Sequence, residues 1–168
     1  MGYPFSCPDM IGGGQFTSFL DDAPIDQELV VRSTQVHALM PMMQFSVAPW
    51  RILDKRHFNA VLDAVNLREK FKETILTLAK KASINGEPIV RSMEYVYPHK
   101  GYVDITDQFM LGNNILIAPF LSKGEGTRKV ILPKGKWKSD AGKVYKGGKS
   151  ITINVPLTRL PYFTREGL

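Results

Sequence analysis

The side chains with chemistry to offer lie in two short stretches near the front of the chain. Pro8-Asp9-Met10-Ile11-Gly12-Gly13-Gly14 places one carboxylate after an apolar run, Tyr3-Pro4-Phe5, and follows it with three glycines. Successive glycines lose much conformational entropy on ordering, so a fold keeps them where the backbone needs φ > 0 or another group comes close. A carboxylate at the end of an apolar strand, before such a loop, is how α/β barrels present a polar group to a ligand. The alternative is a turn in which Asp9 caps its own backbone. The second stretch, Met42 to Val47, reads as a short strand that is apolar except for Gln44 and Ser46, and Ala48-Pro49-Trp50-Arg51 follows as a loop. Two polar groups on one face of a buried strand, with an aromatic just past its end, suggest a ligand-facing rim. The alternative here is an edge strand capped by a packing tryptophan. Asp9, Gln44, Ser46 and Trp50 are thus the candidate binding residues. His37 has no Cys or His at ligand spacing and reads as a structural histidine, so no metal site is expected. The lone Cys7 reads as a small buried filler rather than a nucleophile.

Composition narrows the field. The chain has 168 residues, 43% apolar and 23% charged, which is globular composition, and a single cysteine excludes an internal disulfide. The longest apolar stretches, such as Ile115 to Leu121, are far too short to span a bilayer, and no signal-peptide pattern is visible at the start. The formal net charge of +6 is concentrated in lysines between Lys123 and Lys149. They alternate with Val, Ile, Leu, Trp and Tyr and are punctuated by Gly and Pro turns. That is the pattern of a solvated sheet face, where lysine also discourages edge pairing. Neither nucleic acid nor membrane is an expected partner, and no cofactor is expected.

The elements that must position these residues follow from periodicity. Asp22 and Pro24 suggest a helix entry, and a helix is expected from about Asp26 to Met40, with Leu29, Val30, Val36, Leu39 and Met40 as its apolar stripe and Glu28–Arg32 as an ion pair. Asp54 opens a helical stretch with Phe58, Val61, Leu62 and Val65 at helical spacing. A second stretch from Leu67 carries Phe71, Ile75, Leu78 and Ala79, with a break expected near Asn66 and a stop at Asn85-Gly86. Beyond Pro88 the pattern alternates: Ile89 to Tyr97 reads as a strand. Short β-runs follow at Phe109–Leu111, Ile115–Phe120, Lys129–Leu132, Gly135–Ser139, Ile151–Val155 and Leu160–Thr164, separated by glycine turns. This spacing indicates an antiparallel sandwich or barrel. The chain is therefore βαβα and then all-β, divided near residues 84 to 88, and a βαβα piece of that size cannot close a barrel by itself.

Five ordered motifs carry a resemblance. Asp107-Gln108-Phe109-Met110-Leu111-Gly112-Asn113-Asn114-Ile115-Leu116-Ile117-Ala118-Pro119 closely resembles the DQFMLGDDLLVAPV signature of glycoside hydrolase family 31. Val130 to Trp137 is similar to the family's YLPxGxW, Pro156 to Arg165 to its PLdxiPvfvR, Gly86 to Arg91 to its GxPIxR, and Glu28 to Arg32 to its ELYvRW apart from Ser33. The likeness covers nearly the whole chain in the family's order.

The resemblance implies an α+β two-part chain: residues 1–86 as the last βαβα segment of a TIM (β/α)8 barrel and residues 87–168 as the antiparallel β-sandwich after it. It implies a retaining α-glycosidase acting on carbohydrate. Asp9 matches the carboxylate of the family's DIGGF loop, which binds hydroxyls of the sugar being cleaved. Two departures stand out. Gly13 and Gly14 occupy the region of the family's aromatic, and Gln44-Phe45-Ser46 replaces its RxH, so Ser46 stands for the sugar-contacting His. Met42 through Trp50 is instead similar to the branch containing the myogenesis-regulating glycosidase, which puts plain α-glucoside specificity in question. Retaining glycosidases need two carboxyl groups about 5–5.5 Å apart. The family carries both on barrel strands that precede the matched segment, so no catalytic residue is expected in this chain, and isolated it should be inactive. Self-association through the uncovered barrel surface is expected. A non-catalytic carbohydrate-binding or scaffold module built on the β-domain is the alternative.

Overall fold

Two aspartates start the two long helices. Asp26 accepts the Leu29 N–H at 3.2 Å and begins α1 (Gln27–Ala38), and Asp54 accepts the His57 N–H at 3.0 Å and begins α3 (Lys55–Asn85). A short helix, α2 (Pro49–Ile52), lies between them. The computed structural model describes residues 3–13 and 25–167. The connector with Asp22 and Pro24, and Gly14 with it, lies outside the described residues. The C-terminal carbonyls of α1, which no helical N–H can reach, are taken by one side chain of α3. Arg68 donates to Ala38, Met40 and Pro41 oxygens at 3.1, 2.6 and 2.9 Å. Burial lowers its guanidinium below the ordinary range.

The expected break near Asn66 is absent, and α3 runs unbroken through 31 residues, about 46 Å. No Pro or Gly occurs between Lys55 and Asn85, so nothing interrupts its hydrogen-bond ladder. It ends where expected: Gly86 takes the left-handed conformation at φ 73° and its N–H caps Ala82 O. The stripe of α1 is shifted from expectation, with Val31 fully buried and Leu29 63% exposed. Cys7 is also exposed rather than buried. Glu28 and Arg32 do pair, at 3.3 Å.

The segment expected as one strand from Ile89 to Tyr97 divides. β1 covers only Val90–Arg91, and α4 (Met93–Val96) follows because Ser92 Oγ accepts the Tyr95 N–H at 3.1 Å. A serine that can cap offers the backbone an alternative to the ladder. The remaining strands are β2 (Phe109–Leu111), β3 (Ile115–Ile117), β4 (Gly126–Leu132), β5 (Lys136–Ser139), β6 (Val144–Lys146), β7 (Lys149–Val155) and β8 (Tyr162–Glu166). All pair antiparallel, in a six-stranded sheet of order β1-β2-β3-β8-β5-β6 and a two-stranded sheet of β4 and β7.

The larger sheet is the middle layer of three. Alternate residues on one face, Leu111, Ile115 and Ile117, pack on Phe71 and Ile75 of α3. Those on the other, Met110, Leu116 and Phe163, meet Val130, Ile153 and Trp137 between the two sheets. Trp137 is fully buried, and its indole N–H donates to Pro133 O at 2.8 Å. Gly147 is required beside it: a Cβ there would lie 1.8 Å from that same carbonyl oxygen. Gln108, 3% exposed, joins the sheets by exchanging both amide hydrogen bonds with Ile131, at 2.8 and 3.0 Å. The lysines of β5 alternate with buried Trp137 and Ser139 and face solvent.

A buried polar knot ties α1 to the β-layers. Arg32, 6% exposed, donates to Gly124 O at 2.9 Å, while Glu28 accepts the Gly124 N–H at 3.0 Å. Gln35 donates to Leu157 O at 2.6 Å.

Candidate functional site

The two stretches that bear the candidate residues lie side by side. Ile11 and Phe45 form one isolated parallel bridge, in which the Ile11 N–H donates to Gln44 O at 2.9 Å and the Ser46 N–H to Ile11 O at 3.0 Å. Neither stretch is otherwise a strand. With a single neighbour each, two parallel segments have no further ladder to extend into. Ile11 is fully buried, and Phe45 packs on Val31, Ala60, Val61 and Leu157, so this side of the pair faces the helices. Gln44 and Ser46 flank Phe45 in sequence and are exposed, as alternation of an extended chain requires. The Ser46 hydroxyl turns to Ile11 O at 3.3 Å.

Asp9 is exposed, two residues before the bridge. One carboxylate oxygen accepts the Met10 N–H at 2.8 Å, and the other lies 3.5 Å from where a Cβ on Gly13 would sit. The Gly13 N–H closes the turn on Met10 O at 2.8 Å. Burial holds the His37 imidazole below its ordinary value, and the Asp9 charge opposes this in part. His37 Nδ1 is buried without a hydrogen-bond partner among the described residues. Trp50, in the first turn of α2, is 71% exposed, which excludes the reading of it as a packing tryptophan. Asp9, Gln44 and Ser46 therefore lie on adjacent segments. The Asp9 carboxylate folds on its own loop, and Trp50 follows four residues after Ser46 with its ring open to solvent.

Among the described residues no group of three or more His, Cys, Asp or Glu side chains could hold a metal ion. No helix of the described residues is long and apolar enough to cross a membrane. Two ion pairs outside the rim are structural: Arg128 meets the exposed Asp107 at 2.6 Å and holds its carboxyl below the ordinary range, and the partly buried Arg159 and Asp140 meet at 2.7 Å. A second polar group escaped the sequence reading. Arg91 and Asn113, far apart in sequence, meet at 2.6 Å beside Glu87 and Tyr95. Their signal in the sequence is membership of two motifs, Gly86 to Arg91 and Asp107 to Pro119, whose contact no local pattern announces.

Comparison with known proteins places this arrangement. Residues 86–168 match the glycosyl hydrolase family 31 C-terminal domain. The chain is 36% identical to the myogenesis-regulating glycosidase of Mus musculus over 98% of its own length and 24% of that protein's. It is 33% identical to an alpha-glucosidase of Saccharolobus solfataricus, over 99% of this chain and 24% of the other. Among solved structures it is similar to the family 31 dextranase of Flavobacterium johnsoniae complexed with isomaltotriose, with TM-score 0.78 and 30% identity over 84% of this chain and 18% of that one. It is likewise similar to a family 31 alpha-xylosidase from a soil metagenome complexed with xylose, at TM-score 0.79 and 25% identity, covering 87% and 26%. The chain spans about a quarter of the length of these curated relatives.

Proposed function

Because the chain belongs to glycoside hydrolase family 31, matching a C-terminal portion of its members, we propose that it supplies part of the sugar subsite of a retaining α-glycosidase. In this reading residues 1–86 are the last two strand–helix units of a (β/α)8 barrel and residues 87–168 the sandwich that follows. Asp9 accepts hydrogen bonds from sugar hydroxyls, Gln44 and Ser46 present smaller polar groups on the neighbouring strand, and Trp50 offers its ring to the apolar face of the sugar. The nucleophile and the acid/base come from barrel strands not contained in these 168 residues. The substrate is a carbohydrate α-glycoside, with Ser46 in place of a bulkier histidine leaving room for a sugar other than glucose.

The observation that carries the reading is the single parallel bridge with one open side. Ile11 and Phe45 pair in parallel; Ile11 is fully buried, and Phe45 packs on Val31 of α1 and on Ala60 and Val61 of α3. On the open side Gln44, Ser46 and Met42 are exposed. Parallel strands occur almost only with both faces covered, so an uncovered parallel pair calls for neighbours.

The test is a graft. This chain replaces the matching quarter of the Saccharolobus solfataricus alpha-glucosidase, and hydrolysis of aryl α-glucosides, α-galactosides and α-xylosides is measured. The expected result is a folded, active chimera in which Asp9→Asn costs roughly 10–100-fold in kcat/KM, the loss of a charge-assisted hydrogen bond. A folded, active chimera indifferent to both Asp9→Asn and Ser46→Ala would sink the subsite reading. The isolated chain should show no turnover; activity that survives repurification and vanishes in Asp9→Asn would overturn that part.

A further inference from the structure

A second set of ordered polar side chains lies away from the rim, where the end of α3, the edge strand β1 and the β2–β3 turn meet. There a cleft of about 610 Å³ is lined by Lys81, Glu87, Arg91, Tyr95, Asn113 and Asn114, among others. Arg91 is its fixed centre. Its Nε donates to Pro88 O at 2.7 Å, one terminal nitrogen to Asn113 Oδ1 at 2.6 Å, and the other meets Glu87 Oε2 at 3.3 Å. The Tyr95 hydroxyl donates to the same Glu87 oxygen at 2.9 Å, and the guanidinium sits 5.5 Å from the centre of the Tyr95 ring. A guanidinium held on three sides loses no further freedom when something binds beside it.

The groups that remain free define what would bind. Lys81 enters no ion pair among the described residues. The Asn113 amide nitrogen, the Asn114 side chain and the second oxygen of Glu87 face no hydrogen-bond partner there either. Tyr95 remains 44% exposed. The set is mixed: donors from two amides and a lysine, acceptors from one amide and one carboxylate, and an aromatic ring. A phosphate or carboxylate would find one unspent cation and would be repelled by Glu87. An apolar ligand would strip water from unpaired polar atoms at a cost. Hydroxyl groups, each of which both donates and accepts, match the mixture, and the C–H face of a sugar ring matches the tyrosine.

We propose that this cleft, built by Arg91, Glu87, Tyr95, Asn113, Asn114 and Lys81, is an accessory binding site for a neutral saccharide, separate from the rim of Asp9 and Ser46. It would hold a glycan against the β-layer while leaving the rim unoccupied. Neither the rim nor the catalytic reading is needed for it.

The test is an NMR titration of the isotope-labelled full chain with neutral trisaccharides built from glucose, galactose, mannose and xylose, and with inorganic phosphate as the contrasting probe. At least one trisaccharide should move the side-chain amide signals of Asn113 and Asn114, with a Kd on the order of 1 mM for so shallow a site. Asn114→Ala should weaken that binding about tenfold, as should Lys81→Gln. Both residues are exposed, so the variants keep the fold, which an unchanged spectrum elsewhere would show. Shifts confined to the Asp9–Trp50 region would support the rim and overturn the accessory site. Silence with all four sugars, or a response to phosphate alone, would overturn it too.

Discussion

The two flanks of the α1–α3 helix pair are finished to different degrees. On the sheet flank, Phe71 meets Tyr162 of β8 edge-to-face at 5.1 Å, Ile75 and Ala82 are buried, and the knot of Arg32, Glu28 and Gln35 ties α1 to Gly124 and Leu157. Every group the helices need on that side comes from within the chain. On the rim flank, two segments share one bridge, and Met10 and Met42 are each 43% exposed. The difference teaches where this chain's own information ends. A polar knot and a dry core close one interface, whereas the other has partners for its backbone and few for its side chains.

The sharpest break of that comparison is a pair of truncations. Phe71→Ala removes a ring buried between α3 and β8 and should cost about 3–5 kcal/mol, read as a lowered denaturant midpoint. Trp50→Ala, on the rim flank, should stay within about 0.5 kcal/mol. Equal costs would mean that Trp50 packs against something and that the rim is closed in solution.

These two flanks also differ in how far they can be read from the letters. Most of the β-runs from Phe109 onward and the stop at Asn85-Gly86 follow from turn chemistry and alternation, because each signal is local and agrees with its packing; β6 (Val144–Lys146) lies outside the expected runs, and β3 stops at Ile117 rather than Phe120. The strand from Ile89 to Tyr97 misled because Ser92 can cap a helix as readily as it can sit on a strand face. The break near Asn66 misled because a weak helix former cannot stop a helix that tertiary packing holds on both sides of it. At the rim, residue types named Asp9, Gln44, Ser46 and Trp50, but not where each carboxylate oxygen turns. That depends on the geometry of the Met10–Gly13 turn, in which the Met10 N–H donates to the carboxylate.

A middle-sized effect is expected at the knot. Glu28→Gln leaves Arg32, buried over the Phe120 ring at 4.9 Å, without its carboxylate and should cost about 1–3 kcal/mol. Hydrogen exchange sharpens the same comparison. Amides of α1 and α3 should exchange only on global opening, and those of residues 3–13 and 42–47 far sooner. Concentration-dependent sedimentation should accompany this, since the exposed apolar groups of the rim flank would meet their like in a second copy. A monodisperse monomer with uniform protection would count against an unfinished flank.

The smallest effect decides the most about the candidate site. His37 is held below its ordinary value of 6.5, first by burial, while Asp9 pulls it up. A histidine lowered on folding is neutral in the native state, where the unfolded chain would bind a proton. Its contribution to stability is therefore complete above 6.5 and is lost as pH falls from there through the folded value. Asp9→Asn keeps an acceptor for the Met10 N–H but removes the charge, so the His37 titration, followed by NMR of the imidazole, should move lower still. Loss of stability on acidification should grow with it, and His37→Gln should abolish both. An unmoved His37 in Asp9→Asn would mean that the Asp9 charge does not reach the imidazole in solution. A lowered His37 would mean that the Asp9 charge reaches the imidazole, so that a ligand that screens or displaces that charge at the rim would also lower the His37 pKa.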